Sequence, residues 1–141
     1  MSDHTILLQN SELKATFQRI NILENVEIYG HISIDEIYAQ IIKTHPSLSL
    51  ATVYKNIILM VKKGLLIEVP IVGQKSKYEL KKANHIHLIC TNCTKVEDRP
   101  HTKEIDNAFK QMSQRNHFEL TKQQINLYGV CSECAKYLKL L

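Results

Sequence analysis

Four cysteines constrain this chain more than anything else in it. Cys90 and Cys93 form one CxxC pair, Cys131 and Cys134 form another, and 37 residues separate the pairs. Two such knuckles supply four thiolates, the donor set that zinc (Zn2+) holds in a tetrahedral site with no open position. A fold built on them must bring the end of the chain back to the start of its second half, and the metal then offsets a small core. Two other readings compete: a dithiol redox pair, and a thiol switch in which oxidation ejects the zinc. In a reducing compartment, four cysteines hold metal more readily than they form disulfides.

The first pair closes a stretch, "NHIHLICTNC" over residues 84–93, that also carries two histidines. Its Ile and Leu content reads as a strand, in which successive side chains point to opposite faces. His85 and His87 then share a face, while Cys90 has the other parity, so alternation favours two different metals. Candidate partners for the histidines are Asp98, Glu79 and His31. Three imidazoles and two carboxylates make a mixed nitrogen and oxygen set suited to Fe2+ or Mn2+. Taken singly, His31 and Glu79 fit a surface or capping role as readily as a ligand role.

The chain divides by pattern into an expected domain over 1–82 and another over 83–141. In the first, Phe17, Ile20, Leu23 and Val26 fall at helical spacing up to Gly30. "SIDE" at 33–36 has the form of a capping box and leads Ile34, Ile37, Tyr38, Ile41 and Ile42 along one face. A third helix starts at Ser49, is expected to bury Leu50, Val53, Ile57 and Met60 or Val61, and stops at Gly64. "LLIEVPIVGQKSKYEL" supplies two strand-like runs about Gly73 and Gln74. Three helices and a hairpin outline a winged helix-turn-helix, whose third helix enters the major groove of DNA. Thr52, Tyr54, Lys55 and Asn56 would offer that groove hydroxyl, aromatic, cationic and amide groups. The second half reads as a small α+β unit: "HIHLIC", "KVEDR", a helix with Ile105, Phe109 and Met112 on one side, then strand-like "HFEL" and "QINLYGV".

Charge and hydropathy narrow the function classes. The net charge of +4 decides little, but seven lysines against Glu68 and Glu79 between Lys55 and Lys82 suit a phosphate backbone. No apolar run approaches the roughly 20 residues that cross a bilayer, and "MSDHTILLQN" is no signal peptide, so the cytoplasm is the expected location, with no membrane partner. The H-x-E and PCxxC pattern of the nucleic-acid zinc deaminases is missing, and no open metal position with a general base is visible, so no enzyme is expected.

Together these segments resemble the ferric uptake regulator superfamily. The carrying residues are "LKATFQR" at 13–19, "HISIDEIY" at 31–38, "PSLSLATVYKNI" at 46–57, "GLL" at 64–66, "KYEL" at 77–80, "HIHLICTNCTKVED" at 85–98 and "LYGVCSEC" at 127–134. The resemblance implies a dimeric winged-helix repressor, with a C-terminal dimerisation domain, that binds palindromic double-stranded operator DNA when a divalent metal fills a sensing site. It places His31, Glu79, His85, His87 and Asp98 on the sensing ligands and all four cysteines on structural zinc. Thr52, Tyr54 and Lys55 match the DNA-facing part of the recognition helix, and Arg19 matches a basic residue near the backbone. Phe17 stands where the family commonly has proline. Asn84, Ile86 and Gln123 replace ligands of an accessory site, of which only nearby Glu104 survives.

Within the superfamily, Asp98 and "LYGVCSEC" resemble the peroxide-responsive branch, whereas Glu79 stands where that branch generally has aspartate. The expectation is a regulator of peroxide stress, in which iron at the sensing site leads to oxygen being added to His31 or His85. An iron-responsive uptake repressor is the alternative, with a zinc or manganese regulator behind it.

Overall fold

The computed structural model describes residues 3–139, which fall into two compact units divided between Lys81 and Lys82. The first begins with α1 (Asp3–Asn10), a helix the sequence pattern did not announce, whose Leu8 is fully buried. Thr16 caps α2 (Phe17–Tyr29) by accepting from the Arg19 N–H, and Gly30 ends it at φ +78°, a conformation that costs a side-chain-bearing residue energy. Ser33 and Glu36 form the expected capping box at α3 (Ile34–Ile41), each side chain taking the other's backbone N–H. Ser49 caps α4 (Leu50–Lys62), and the chain turns at Gly64 into β2 (Leu66–Val69) and β3 (Lys77–Leu80). A two-residue strand, β1 (Ile32–Ser33), completes the sheet in the order β1-β3-β2, all antiparallel.

One apolar core holds this unit together. Ile22, Leu23 and Val26 of α2, Ile37 and Ile41 of α3, and Val53, Ile57 and Met60 of α4 are all buried in it. Two expected core members stand outside: Phe17 is 61% exposed and Leu50 42% exposed. Each is the first residue of its helix, where the turn that would cover it does not exist. The resulting helix, helix, short turn, helix and hairpin is a winged helix-turn-helix.

The second unit is a three-stranded sheet in the order β5-β4-β6, with β4 (His85–Cys90) between antiparallel β5 (Val96–Pro100) and parallel β6 (Ile125–Gly129). Helix α5 (Lys103–Arg115) connects β5 to β6, and the short α6 (Ser132–Tyr137) ends the described chain. The segment "HFEL" at 117–120 is no strand; His117 sits at φ +51° in a turn that ends the helix. This unit has few buried apolar residues: Ile86, Ile89 and Ala135, with Cys90 and Cys134. No residue of α5 is buried, and Met112, Leu127 and Tyr128 are exposed. So thin a core needs help from metal or from a second chain. No helix among the described residues is long and apolar enough to cross a membrane.

Candidate metal centres and DNA-facing helix

The cysteines meet where β4 ends. Cys90 is its last residue and Cys93 follows in the next turn; Cys131 caps α6 and Cys134 lies on its first turn. All four Sγ atoms lie within 4.8 Å of one another. No pair is bonded: Cys93 Sγ and Cys131 Sγ stand 3.8 Å apart, against about 2.05 Å for a disulfide. A zinc with bonds of about 2.3 Å sets its tetrahedral ligands about 3.8 Å apart, so this spacing is that of a tetrahedron edge. Backbone N–H groups of Cys93 and Cys131 each donate to Cys90 Sγ at 3.4 Å. Those two donors hold the Cys90 thiol down to about 6. At Cys134 a hydrogen bond with Asn92 pulls the same way, but Cys131, burial and the remaining thiols outweigh it and push the group up to about 12. Four crowded thiols cannot all ionise alone, and a dication removes that conflict. The donor set therefore fits zinc.

The same strand carries the second cluster. His85 Nε2 and His87 Nε2 face each other at 2.8 Å, and Asp98 Oδ1 lies 3.7 and 3.6 Å from them. Register explains the meeting, because β4 sets His87 opposite Asp98 on β5. Both rings are oriented from behind: His85 Nδ1 contacts the Ala83 carbonyl at 2.8 Å, and His87 Nδ1 contacts Asn126 Oδ1 at 2.8 Å. Both partners are acceptors, which favours a proton on each Nδ1, the tautomer that turns the Nε2 lone pairs towards each other for a shared ion. Two lone pairs so close call for a cation between them, and two imidazoles with a carboxylate suit a divalent transition ion. His87 is 1% exposed, so no solvent competes for it.

In the first unit, His31 Nε2 lies 2.7 Å from Glu79 Oε2. Here too register decides, for the antiparallel ladder that pairs Ile32 with Tyr78 carries His31 to Glu79. Of the five expected sensing ligands, the units thus bring together His31 with Glu79, and His85 with His87 and Asp98. Sequence reasoning missed two supporting residues. Asn126 pairs with His87 across the parallel β4–β6 ladder, and Lys82 Nζ pairs with Asp98 Oδ2. Neither has a local signature: Asn126 follows from strand register, and Lys82 reaches Asp98 from the segment ahead of β4.

On α4, Tyr54 and Lys55 are exposed while Thr52 and Asn56 are half-buried. Thr52 Oγ1 shares a hydrogen bond with the capping Ser49 Oγ at 2.9 Å, which fixes the hydroxyl at the start of the helix. Arg19 donates from Nε to Asn56 Oδ1 at 3.1 Å and from Nη1 to the Lys14 carbonyl at 2.9 Å. It thereby ties α2 to the polar side of α4. Val53 and Ile57 anchor the opposite side of α4 in the core, so Tyr54 and Lys55 are presented on a rigid support.

Residues 10–128 match the ferric uptake regulator family. The chain belongs to that family. It is 32% identical over 130 residues to the peroxide operon regulator of Bacillus subtilis, covering 92% of this chain and 89% of that protein. Among solved structures, the Campylobacter jejuni peroxide stress regulator is 32% identical with a TM-score of 0.75, covering 95% of this chain and all of that one. The Vibrio cholerae ferric uptake regulator is 30% identical with a TM-score of 0.77, covering 92% of this chain and 100% of that chain. As a member of the family the protein is a metal-dependent, DNA-binding regulator.

Proposed function

We propose that this protein is a peroxide-responsive transcriptional repressor rather than an enzyme, acting in the cytoplasm as a homodimer on palindromic operator DNA. The observation that carries the reading is the similarity to two peroxide regulators, each 32% identical across more than nine-tenths of this chain. Asp98 beside two imidazole lone pairs agrees with it.

In this reading residues 1–82 bind DNA and residues 83–141 dimerise. Cys90, Cys93, Cys131 and Cys134 hold Zn2+ and keep the second domain folded. His31, Glu79, His85, His87 and Asp98 serve one regulatory Fe2+ or Mn2+. In this reading, binding of the ion selects the arrangement in which two recognition helices match successive major grooves. Thr52, Tyr54 and Lys55 face the bases and backbone, and Arg19 supports them from α2. The exposed apolar side of α5 and β6 supplies what a second copy would cover. When bound, Fe2+ would activate peroxide for cleavage of its O–O bond and be regenerated, while the imidazole supplies the two electrons, so that one peroxide yields one oxygen on the ring and one water. His31 and His85 are the side chains that take up oxygen; an oxidised imidazole is a poorer ligand, and the operator is released.

Glu79 favours a second reading, an iron-responsive repressor of the kind represented by the Vibrio cholerae protein. One experiment separates them. The protein is loaded with Fe2+ without oxygen, treated with limited peroxide and digested, and its peptides are weighed. One added oxygen on His31 or His85, absent from an Mn2+-loaded control, is expected. Unmodified histidines would replace the peroxide reading with reversible metal sensing.

A further inference from the structure

Asp98 faces two ways. Its Oδ1 lies 3.6 and 3.7 Å from the two imidazole Nε2 atoms, and its Oδ2 forms an ion pair with Lys82 Nζ. Lys82 stands three residues ahead of His85, on the approach to β4, and its side chain is 46% exposed against 28% for Asp98. We propose that Lys82 is a built-in cation that shares Asp98 with the regulatory metal and so sets how much metal the protein needs before it binds DNA. The inference rests on the reading of Asp98 as a ligand.

Two effects follow from the geometry, and they act in the same direction. With Oδ2 held by the ammonium, the carboxylate offers Oδ1 alone and fills one coordination position instead of two. The ammonium also neutralises Asp98 before any metal arrives, and it repels a dication on the far side of the same carboxylate. A unit charge about 6 Å from a divalent ion, on an ammonium this exposed and screened over about 8 Å, weakens binding by about threefold to tenfold. A lysine suits this role better than a neutral donor would, since an amide could orient Oδ2 but would not oppose the metal's charge. Lys82 is thus a positioning residue with an electrostatic penalty attached.

The test is a titration of the full-length, zinc-loaded protein with Mn2+, followed by calorimetry, for the wild type, Lys82→Met, Lys82→Arg and Asp98→Asn. Lys82→Met should bind Mn2+ about threefold to tenfold more tightly, and Lys82→Arg should stay near the wild type because its charge is kept. With Co2+ as the probe, the visible spectrum of Lys82→Met should lose intensity as Asp98 turns bidentate and the coordination number rises, a change that loss of a merely structural ion pair would not produce. An unchanged or weaker Mn2+ affinity in Lys82→Met, with Asp98→Asn clearly weakened, would overturn the role of Lys82 alone. An unchanged affinity in Asp98→Asn would overturn the ligand assignment itself.

Discussion

Asn126 offers the sharpest test of the second metal cluster, because its effect can be worked out from one contact. His87 is 1% exposed, and its Nδ1 meets Asn126 Oδ1 at 2.8 Å. With an Asn126→Leu substitution the metal-free ring can change tautomer, donating from Nε2 to His85 Nε2 at 2.8 Å and leaving Nδ1 bare. Metal binding then forces the proton back to Nδ1, where it finds no acceptor. A buried donor left unsatisfied costs about 1–3 kcal/mol. At about 1.4 kcal/mol per decade, that is a loss of roughly fivefold to more than a hundredfold in affinity. Outer-sphere partners of metal-bound histidines usually contribute about 10–100-fold, which falls in the same range. Calorimetric Mn2+ titration of the zinc-loaded protein measures it directly, with thermal unfolding as a check that the sheet survives. Asn126→Asp keeps an acceptor and makes the imidazole more basic, so its affinity should equal or exceed that of the wild type. A dissociation constant for Asn126→Leu within twofold of the wild type would refute the tautomer argument.

Lys55→Ala should lower the slope of log affinity for operator DNA against log salt by about 0.9, the share of one phosphate contact, as read in a fluorescence-anisotropy series. Ile57 is fully buried in the first unit's core, so Ile57→Ala should cost about 2–5 kcal/mol in urea unfolding while leaving zinc content unchanged. Cys131→Ser removes one of four thiolates and should release zinc to a chelator and unfold the second unit, seen as loss of zinc by colorimetry and of its part of the thermal transition. Burial first, then Glu68 and Tyr54, raise Tyr78 from an ordinary 10.0 to about 12. The unfolded chain ionises at the lower value, so the contribution is intact below about 10 and is lost as pH rises towards about 12. Alkaline unfolding should therefore be less steep in Tyr78→Phe.

The local parts of this architecture were legible because their causes are local. The capping box at Ser33, the cap at Ser49, the stop at Gly64 and the core face of α4 are each written within a few residues. The errors share a cause as well. Phe17 and Leu50 fit the helical period, yet the period says nothing about whether a first turn has a neighbour above it. "HFEL" has strand composition, but the turn after α5 takes His117 to positive φ and no partner strand is available. Helix α1 carries only weak amphipathic signal, and a single buried residue, Leu8, ties it down. Asn126 and Lys82 could not be found at all by spacing, since the first depends on a parallel register with a strand 39 residues away and the second on a reach of 16 residues.

That register also explains why two chemically different clusters can share one short strand. In β4, parity turns His85 and His87 to one side and leaves Cys90, the last residue, with the opposite parity; neighbouring strands then complete each set separately. The parallel ladder pairs His87 with Asn126 and Cys90 with Gly129, two residues before Cys131. A metal gripping Cys90 and Cys131 therefore pins β6 against β4 in the register that puts the Asn126 amide oxygen behind His87. A slip of two residues would present Gln124 or Tyr128 there instead, and a slip of one would turn the side chain to the other face. The thiolate cluster does more than close the fold: through β6 it fixes the tautomer of a histidine some distance along the strand, and with it the strength of the second site. Zinc, bound without an open position, is suited to that constant task. In the proposed reading the mixed nitrogen and oxygen cluster, with no four-thiolate cage to close it, is the site whose ion fills and empties as conditions change.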